Sequence, residues 1–237
     1  MNPADPNLAL LELIAGALGP LRERFVFVGG CTTGMLVTDI AASPVRATRD
    51  IDVIVEVLTL ADYHALEREL EKAGFSHDRS PAAPICRWIV GTSLLDVMPT
   101  DERVLGFSNR WFTQAFRTAE SVELPSGRMI RVATPPLFLA TKLEAFRGRG
   151  CGDFLASHDL EDIITVIDGR RELLDDVRAS ASLLRAYIAH EIGILLQNPE
   201  FNEALPGHLA GDETSQARIP LIRERLRQLS LAAVTAA

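Results

Sequence analysis

The segment Asp50-Ile51-Asp52-Val53-Ile54-Val55-Glu56-Val57 constrains this chain more than any other. Its β-branched residues and two-residue alternation predict a strand, with Asp50 and Asp52 on one face and Ile51, Val53 and Val55 on the other. The apolar face requires a core. The acidic face sets like charges side by side, and paired carboxylates repel and resist desolvation unless a counter-charge meets them. A hard divalent cation taking oxygen ligands, magnesium or manganese, resolves that conflict. A solvated strand face is the simpler alternative.

What precedes the strand narrows the choice. Residues 24–28 read as a short strand that ends at Gly29-Gly30, and the next dozen residues, through Ile40, read as a helix. Glycines let the backbone approach a phosphate, and free N–H groups at a helix start attract an anion, although such a pair also serves as a plain tight turn. Thr32 and Thr33 offer hydroxyls to a phosphate, after Cys31. Further on, Asp96 interrupts the apolar strand Ser93-Leu94-Leu95-Asp96-Val97-Met98. Either Asp96 completes a three-carboxylate site with Asp50 and Asp52 and takes a proton from an acceptor hydroxyl, or it is paired with Arg87 or reaches water at a strand end. Arg46 and Arg49, just before the first Asp, are phosphate or acceptor contacts or else exposed loop cations.

The period of the apolar pattern changes along the chain, which predicts an α/β part over 1–133 and a helical part over 134–237. In the first part, helices are expected at 8–18 and 60–73. Hairpins are expected for 85–90 with 93–98 around Gly91-Thr92, and for 121–124 with 129–132 around Pro125-Ser126-Gly127. After the Thr134-Pro135 start signal, helices are expected at 135–147, 154–167, 172–179, 182–196 and 215–229, with a loop over 199–212. Lys142 shares a helical stripe with Leu139, Leu143 and Phe146, so it meets an anion such as a triphosphate or pairs with Asp159 or Asp162. Arg149, seven residues on, extends that face. Asp159 flanks the stripe Leu160, Ile163, Ile164 and Ile167, whereas Asp162 points away from it and is expected in solvent. The last helix is expected to pack through Ile219, Ile222, Leu226 and Leu229, with Arg218, Arg223, Arg225 and Arg227 on a solvated side. Trp88 and Trp111 are expected in the core or at its rim.

Composition excludes several classes. With 237 residues, 47% hydrophobic and 24% charged, the chain is a folded globular mixture. A net charge of -8 argues against a broad basic coat for nucleic acid. It leaves room for a small basic rim made by Arg46, Arg49, Lys142, Arg147 and Arg149. Cys31, Cys86 and Cys151 show no C-x-x-C spacing, which suggests a reducing, cytoplasmic setting. No apolar run approaches the roughly 18 residues of a membrane span, and the amino terminus lacks a secretory lead-in.

Taken together, the glycine pair, the Asp-x-Asp strand and the later third acid resemble the nucleotidyltransferase superfamily. The phrases FVGG and RATRDIDV resemble its AbiEii/AbiGii toxin-like branch, which includes the MenT toxins. That branch also carries a helical Lys followed by Arg and an Asp-Leu helix. TPPLFLATKLEAFRGRG, with Lys142, Arg147 and Arg149, and SHDLEDI, with Asp159 and Asp162, are similar to these, so the resemblance spans about 25–167. It implies an α/β (α+β) fold, a small mixed sheet flanked by helices, followed by a helical region that contributes to the nucleotide cleft. It implies a nucleoside triphosphate held by Gly29, Gly30, Thr32, Thr33, Arg49, Lys142, Arg149 and Asp159. Magnesium or manganese would sit on Asp50, Asp52 and Asp96, with Lys142 joining these acids in catalysis. The expected activity is transfer of a nucleoside monophosphate to a hydroxyl of a tRNA 3′ end or a protein, toxin-like, with a cognate antitoxin as partner and no membrane association. A small-molecule acceptor such as an aminoglycoside, and a degenerate nucleotide-binding module to which Cys31 points, are the competing readings.

Overall fold

A computed structural model describes residues 5–149 and 152–233, the side chain of Arg149 excepted. Cys151 lies outside the described residues. The chain divides into two compact units. One comprises Pro6–Thr32 and Ala47–Thr134; the other contains Thr33–Arg46 and everything from Pro135 onward.

The first unit is built on β1 (Phe25–Val28), β2 (Asp50–Val55), β3 (Ser76–His77), β4 (Arg87–Val90), β5 (Ser93–Pro99), β6 (Glu120–Glu123) and β7 (Met129–Val132). They form one mixed sheet in the order β3-β4-β5-β2-β1-β7-β6. The β2/β5 and β1/β7 pairs are parallel, and the remaining pairs are antiparallel. All four residues of β1 are buried, as are Ile51, Val53, Leu95, Val97 and Trp88. Each large apolar side chain so enclosed contributes roughly 1.5–3 kcal/mol relative to exposure. Helix α1 (Leu8–Leu18) buries Leu11, Ile14, Ala15 and Leu18, the i, i+3, i+4, i+7 pattern of one face.

In the order of the chain, the short helix α2 (Thr33–Leu36) belongs to the second unit, and α3 (Leu60–Lys72) returns to the first. Thr59 caps α3 by accepting from the Asp62 N–H, and Gly74, at φ +91°, follows its end. From α3 the buried Tyr63 hydroxyl donates to the Val97 carbonyl at 2.8 Å, tying the helix to β5. Two short helices, α4 (Glu102–Leu105) and α5 (Phe112–Arg117), and the two-residue strand β3 carry too few periodic positions to be read from the sequence.

The second unit is helical: α2, α6 (Pro135–Arg149), α7 (His158–Gly169), α8 (Leu173–Ala179), α9 (Ser182–Gln197), α10 (Pro199–Ala204), α11 (Glu213–Gln216) and α12 (Ile219–Ser230). Four expectations are corrected here. The helix expected through Ile40 ends after one turn at Leu36, because the N–H groups of Thr38 and Asp39 both turn to the Gly169 carbonyl. The helix expected from residue 154 starts at His158, where Ser157 caps it by accepting from the Leu160 N–H. The stretch 199–212 is not a plain loop: Asn198 accepts from the N–H groups of Glu200 and Phe201, Pro199 stands at the first helical position, and α10 follows. The helix expected over 215–229 is broken into α11 and α12, since Pro220 in the first turn of α12 has no N–H to continue a helix from α11.

Candidate functional site

Strand pairing brings the three acids of the first unit to one face of the sheet. In the parallel register of β2 and β5, Asp52 stands beside Asp96 and Asp50 beside Leu94. Parallel partners project to the same face, so Asp50, Asp52 and Asp96 share it. On the other side of β2, Val28 pairs with Asp52, and the chain then turns at Gly29. A Cβ at Gly29 would lie 2.0 Å from Asp52 Oδ2, and the backbone there has φ +74°. Gly29 is therefore required twice, by its backbone conformation and by the carboxylate packed against it.

Arg87 joins the three acids on this face, opposite Asp96 in the antiparallel β4/β5 register. Its Nε and Nη2 donate to Asp96 Oδ1 and Oδ2 at 2.8 and 2.7 Å, and Nη2 also reaches Asp50 Oδ2 at 3.1 Å. Asp50 Oδ1 accepts from the Thr48 hydroxyl at 2.9 Å. Asp96 is 7% exposed, so its charge is kept out of water and the bidentate guanidinium supplies what solvent does not. The hydrogen bond to Asp96 is also the main cause that raises the Arg87 pKa. Beside them the buried Cys86 thiol is pushed up to about 12, first by burial and then by the charge of Asp96, which leaves it inert as a nucleophile. Of the two alternatives posed for Asp96, pairing with Arg87 is present here.

Three carboxylates and one guanidinium stand together here, and oxygen is the only donor type the acids offer. Such oxygen donors suit a hard divalent cation, which Asp50 and Asp52 would hold. Among the described residues, no group of three or more His, Cys, Asp or Glu is already arranged around a common metal position. Arg87 engages both Asp50 and Asp96.

The glycine turn differs from expectation in one respect. Gly30–Thr32 form a tight helical turn, with the Thr32 N–H and hydroxyl both bonded to the Gly29 carbonyl at 3.1 and 2.9 Å. Thr32 is fully buried and its hydroxyl is engaged. The Cys31 thiol donates to the Val28 carbonyl at 3.2 Å, so Cys31 braces the turn from within. Thr33, which starts α2, is also fully buried, and its Oγ1 has no hydrogen-bond partner. Because α2 is only four residues long, the macrodipole that a full helix would aim at a phosphate is largely absent. Arg49 is exposed and makes no ion pair among the described residues.

The second unit gathers the other candidates. Lys142, 6% exposed, places Nζ 3.0 Å from Asp159 Oδ1 and 2.7 Å from Asp162 Oδ2. Asp162 also receives both Nε and Nη2 of Arg46, at 2.8 and 2.9 Å. The expectation of a solvated Asp162 is thus overturned: it is fully buried, because α7 is enclosed on nearly all sides rather than along one stripe. The ion pairs posed as the structural alternative for Lys142 are present here. Arg147 is exposed and reaches Glu191 at 3.3 Å, while Arg149 ends α6 with its side chain outside the described residues. The carboxy-terminal arginines also depart from the expected solvated side. Arg218 pairs with Asp39 and Asp168, Arg223 with Asn202, and Arg225 donates to the Ile167 carbonyl, leaving Arg227 exposed beside Glu224. Trp88 and Trp111 are core residues, as expected.

No family model matches this sequence, and no curated protein matches it. Among solved structures, the chain is similar to an antigenic nucleotidyltransferase-like protein from Paracoccidioides brasiliensis, with a TM-score of 0.48 and 18% identity over 86% of this chain and 94% of that one. It is also similar to JHP933 from Helicobacter pylori, with a TM-score of 0.48 and 12% identity over 98% of this chain and 92% of that one.

Proposed function

We propose that this protein is a divalent-cation-dependent nucleotidyltransferase that moves a nucleoside monophosphate from a nucleoside triphosphate to a hydroxyl acceptor. The observation that carries the reading is the register of β2 against β5, which sets Asp52 beside Asp96, with Asp50 on the same face and the Gly29 backbone against the Asp52 carboxylate. Asp50 and Asp52 would hold magnesium or manganese. The bound cation would neutralise the triphosphate and stabilise the departing pyrophosphate. The acceptor oxygen forms the new bond to the α-phosphorus as the bond to pyrophosphate breaks, and its proton passes to a carboxylate oxygen of Asp96. Gly29 keeps the turn close to Asp52, and Thr48 fixes Asp50 through its Oδ1. Lys142, whose ammonium already meets two buried carboxylates, is assigned to holding the helical unit together.

A tRNA 3′ end or a protein side chain as acceptor, a toxin-like role and a cognate antitoxin follow from the family resemblance and complete the proposal. Incubation with each α-labelled triphosphate, magnesium or manganese, and total tRNA or cell lysate should give metal-dependent label transfer. Asp52→Asn should abolish it and leave the circular-dichroism spectrum unchanged. Absence of transfer with every triphosphate and acceptor, in folded protein, overturns the reading. Nucleotide binding without pyrophosphate release would identify a non-catalytic module instead.

A further inference from the structure

The ion pairs of Arg87 acquire a second meaning on the reading, from the proposed function, that Asp50 and Asp52 hold a divalent cation. Arg87 engages both oxygens of Asp96 and one oxygen of Asp50, and Thr48 takes the other oxygen of Asp50. The carboxylate needed as a metal ligand and the one needed as a proton acceptor are therefore both held by the same guanidinium. Asp96 is buried, and a carboxylate there is costly without a partner beside it. A guanidinium suits that position, being always charged, planar and weakly hydrated, with donors spaced to grip two carboxylates at once. It also stands on a rigid part of the fold, because the Gly91-Thr92 hairpin locks Val90 opposite Ser93 and thereby Arg87 opposite Asp96.

We propose that Arg87 is a built-in counter-cation: it occupies the acid cluster in the metal-free protein, gives up Asp50 when a divalent cation arrives, and thereby sets the metal affinity of the site. Arg87 is in this sense a positioning residue acting through Asp50 and Asp96. Its competition weakens binding of the bare ion. Occupancy then favours a cation delivered together with the triphosphate, whose own oxygens supply the ligands that Arg87 withholds.

Magnesium titration of the full chain by calorimetry tests this, using wild type, Arg87→Met, Arg87→Lys and Asp52→Asn. Arg87→Met should bind magnesium about tenfold more tightly, the gain expected if the competent arrangement is about one-tenth populated in wild type. Arg87→Lys, a point charge that cannot span both carboxylates, should fall between the two. In wild-type protein with 15N-labelled arginine, the Arg87 Nη2–H resonance, the one that reports the bond to Asp50, should be protected from exchange without metal and should move or exchange faster as magnesium saturates. That measurement decides the matter if Arg87→Met does not fold. Magnesium binding that is lost in Asp52→Asn but is no tighter in the Arg87 variants, with an Nη2–H signal unmoved at saturation, overturns the role of Arg87 alone. Binding that survives Asp52→Asn, or is absent in every protein, overturns the metal-site reading together with it.

Discussion

A Cβ at Gly29 would meet Asp52 Cβ at 2.9 Å as well as its carboxylate, and Asp52 Cβ cannot rotate away. Gly29→Ala therefore adds a collision to a left-handed backbone that costs an L-residue roughly 1–2 kcal/mol by itself. Thermal denaturation should show at least that loss, and on the proposed function magnesium binding should weaken because Asp52 is pushed from its place. Asp162 presents the opposite situation, a residue whose pattern position suggests solvent but whose surroundings make it indispensable. Its side chain is 1% exposed and balances both Lys142 and Arg46. Asp162→Ala leaves Lys142 with Asp159 and Arg46 with Glu161 at 3.8 Å, and should destabilise by about 3 kcal/mol in urea titration, the lower end of the loss on breaking a buried pair. Arg227→Ala, on an exposed pair, should change stability by less than about 1 kcal/mol.

At the scale of elements, the cap of α10 is the most direct case of sequence chemistry overriding composition. The stretch after Asn198 is rich in residues that favour loops, yet Asn198 satisfies two N–H groups, Pro199 is preset for the first turn, and Phe201 is fully buried. Asn198→Ala should cost about 1 kcal/mol. Hydrogen exchange of the Glu200 and Phe201 amides should speed up in that variant. Longer elements were legible: α1 matches its expected span, the two hairpins form around their expected turns, and β2 alternates in burial from Asp50 to Val53. Misread elements were short, or were ended by contacts far along the chain, as α2 is by the Gly169 carbonyl.

For the whole molecule, acid sensitivity follows from groups whose folded environments differ from water. Burial lowers the pKa of His208, which is 9% exposed and whose Nε2–H donates to the Phe154 carbonyl at 2.7 Å. The unfolded chain then binds that proton more readily, so stability is full above the ordinary value near 6.5 and falls as pH drops through it. Asp39 is held well below the usual carboxylate range, chiefly by the Arg171 hydrogen bond and also by Arg218, so its contribution is lost only in stronger acid, below its ordinary value of 3.8. Calorimetric melting temperatures should accordingly decline in two stages, first below about pH 6.5 and again below about pH 4. His208→Gln, which keeps an N–H for Phe154, should flatten the first stage. An unchanged slope between pH 5 and 7 in that variant would rule out His208 as its source.

The sequence by itself determined the strand that carries Asp50 and Asp52, the glycine turn before it, the hairpin that presents Asp96 and the helical character after Thr134. Each of these depends on residues within a few positions of one another, where period, turn chemistry and capping act. The opposition of Arg87 and Asp96 was also within reach, because a two-residue turn at Gly91-Thr92 sets the hairpin register. Only the tertiary structure decided that Asp96 lies beside Asp52, that Arg87 bridges to Asp50, and that Lys142 and Arg46 converge on a buried Asp162. Those contacts join residues tens of positions apart. Which counter-charge a buried acid finds depends on which strands pair and which helix faces close, and local periodicity carries no information about either.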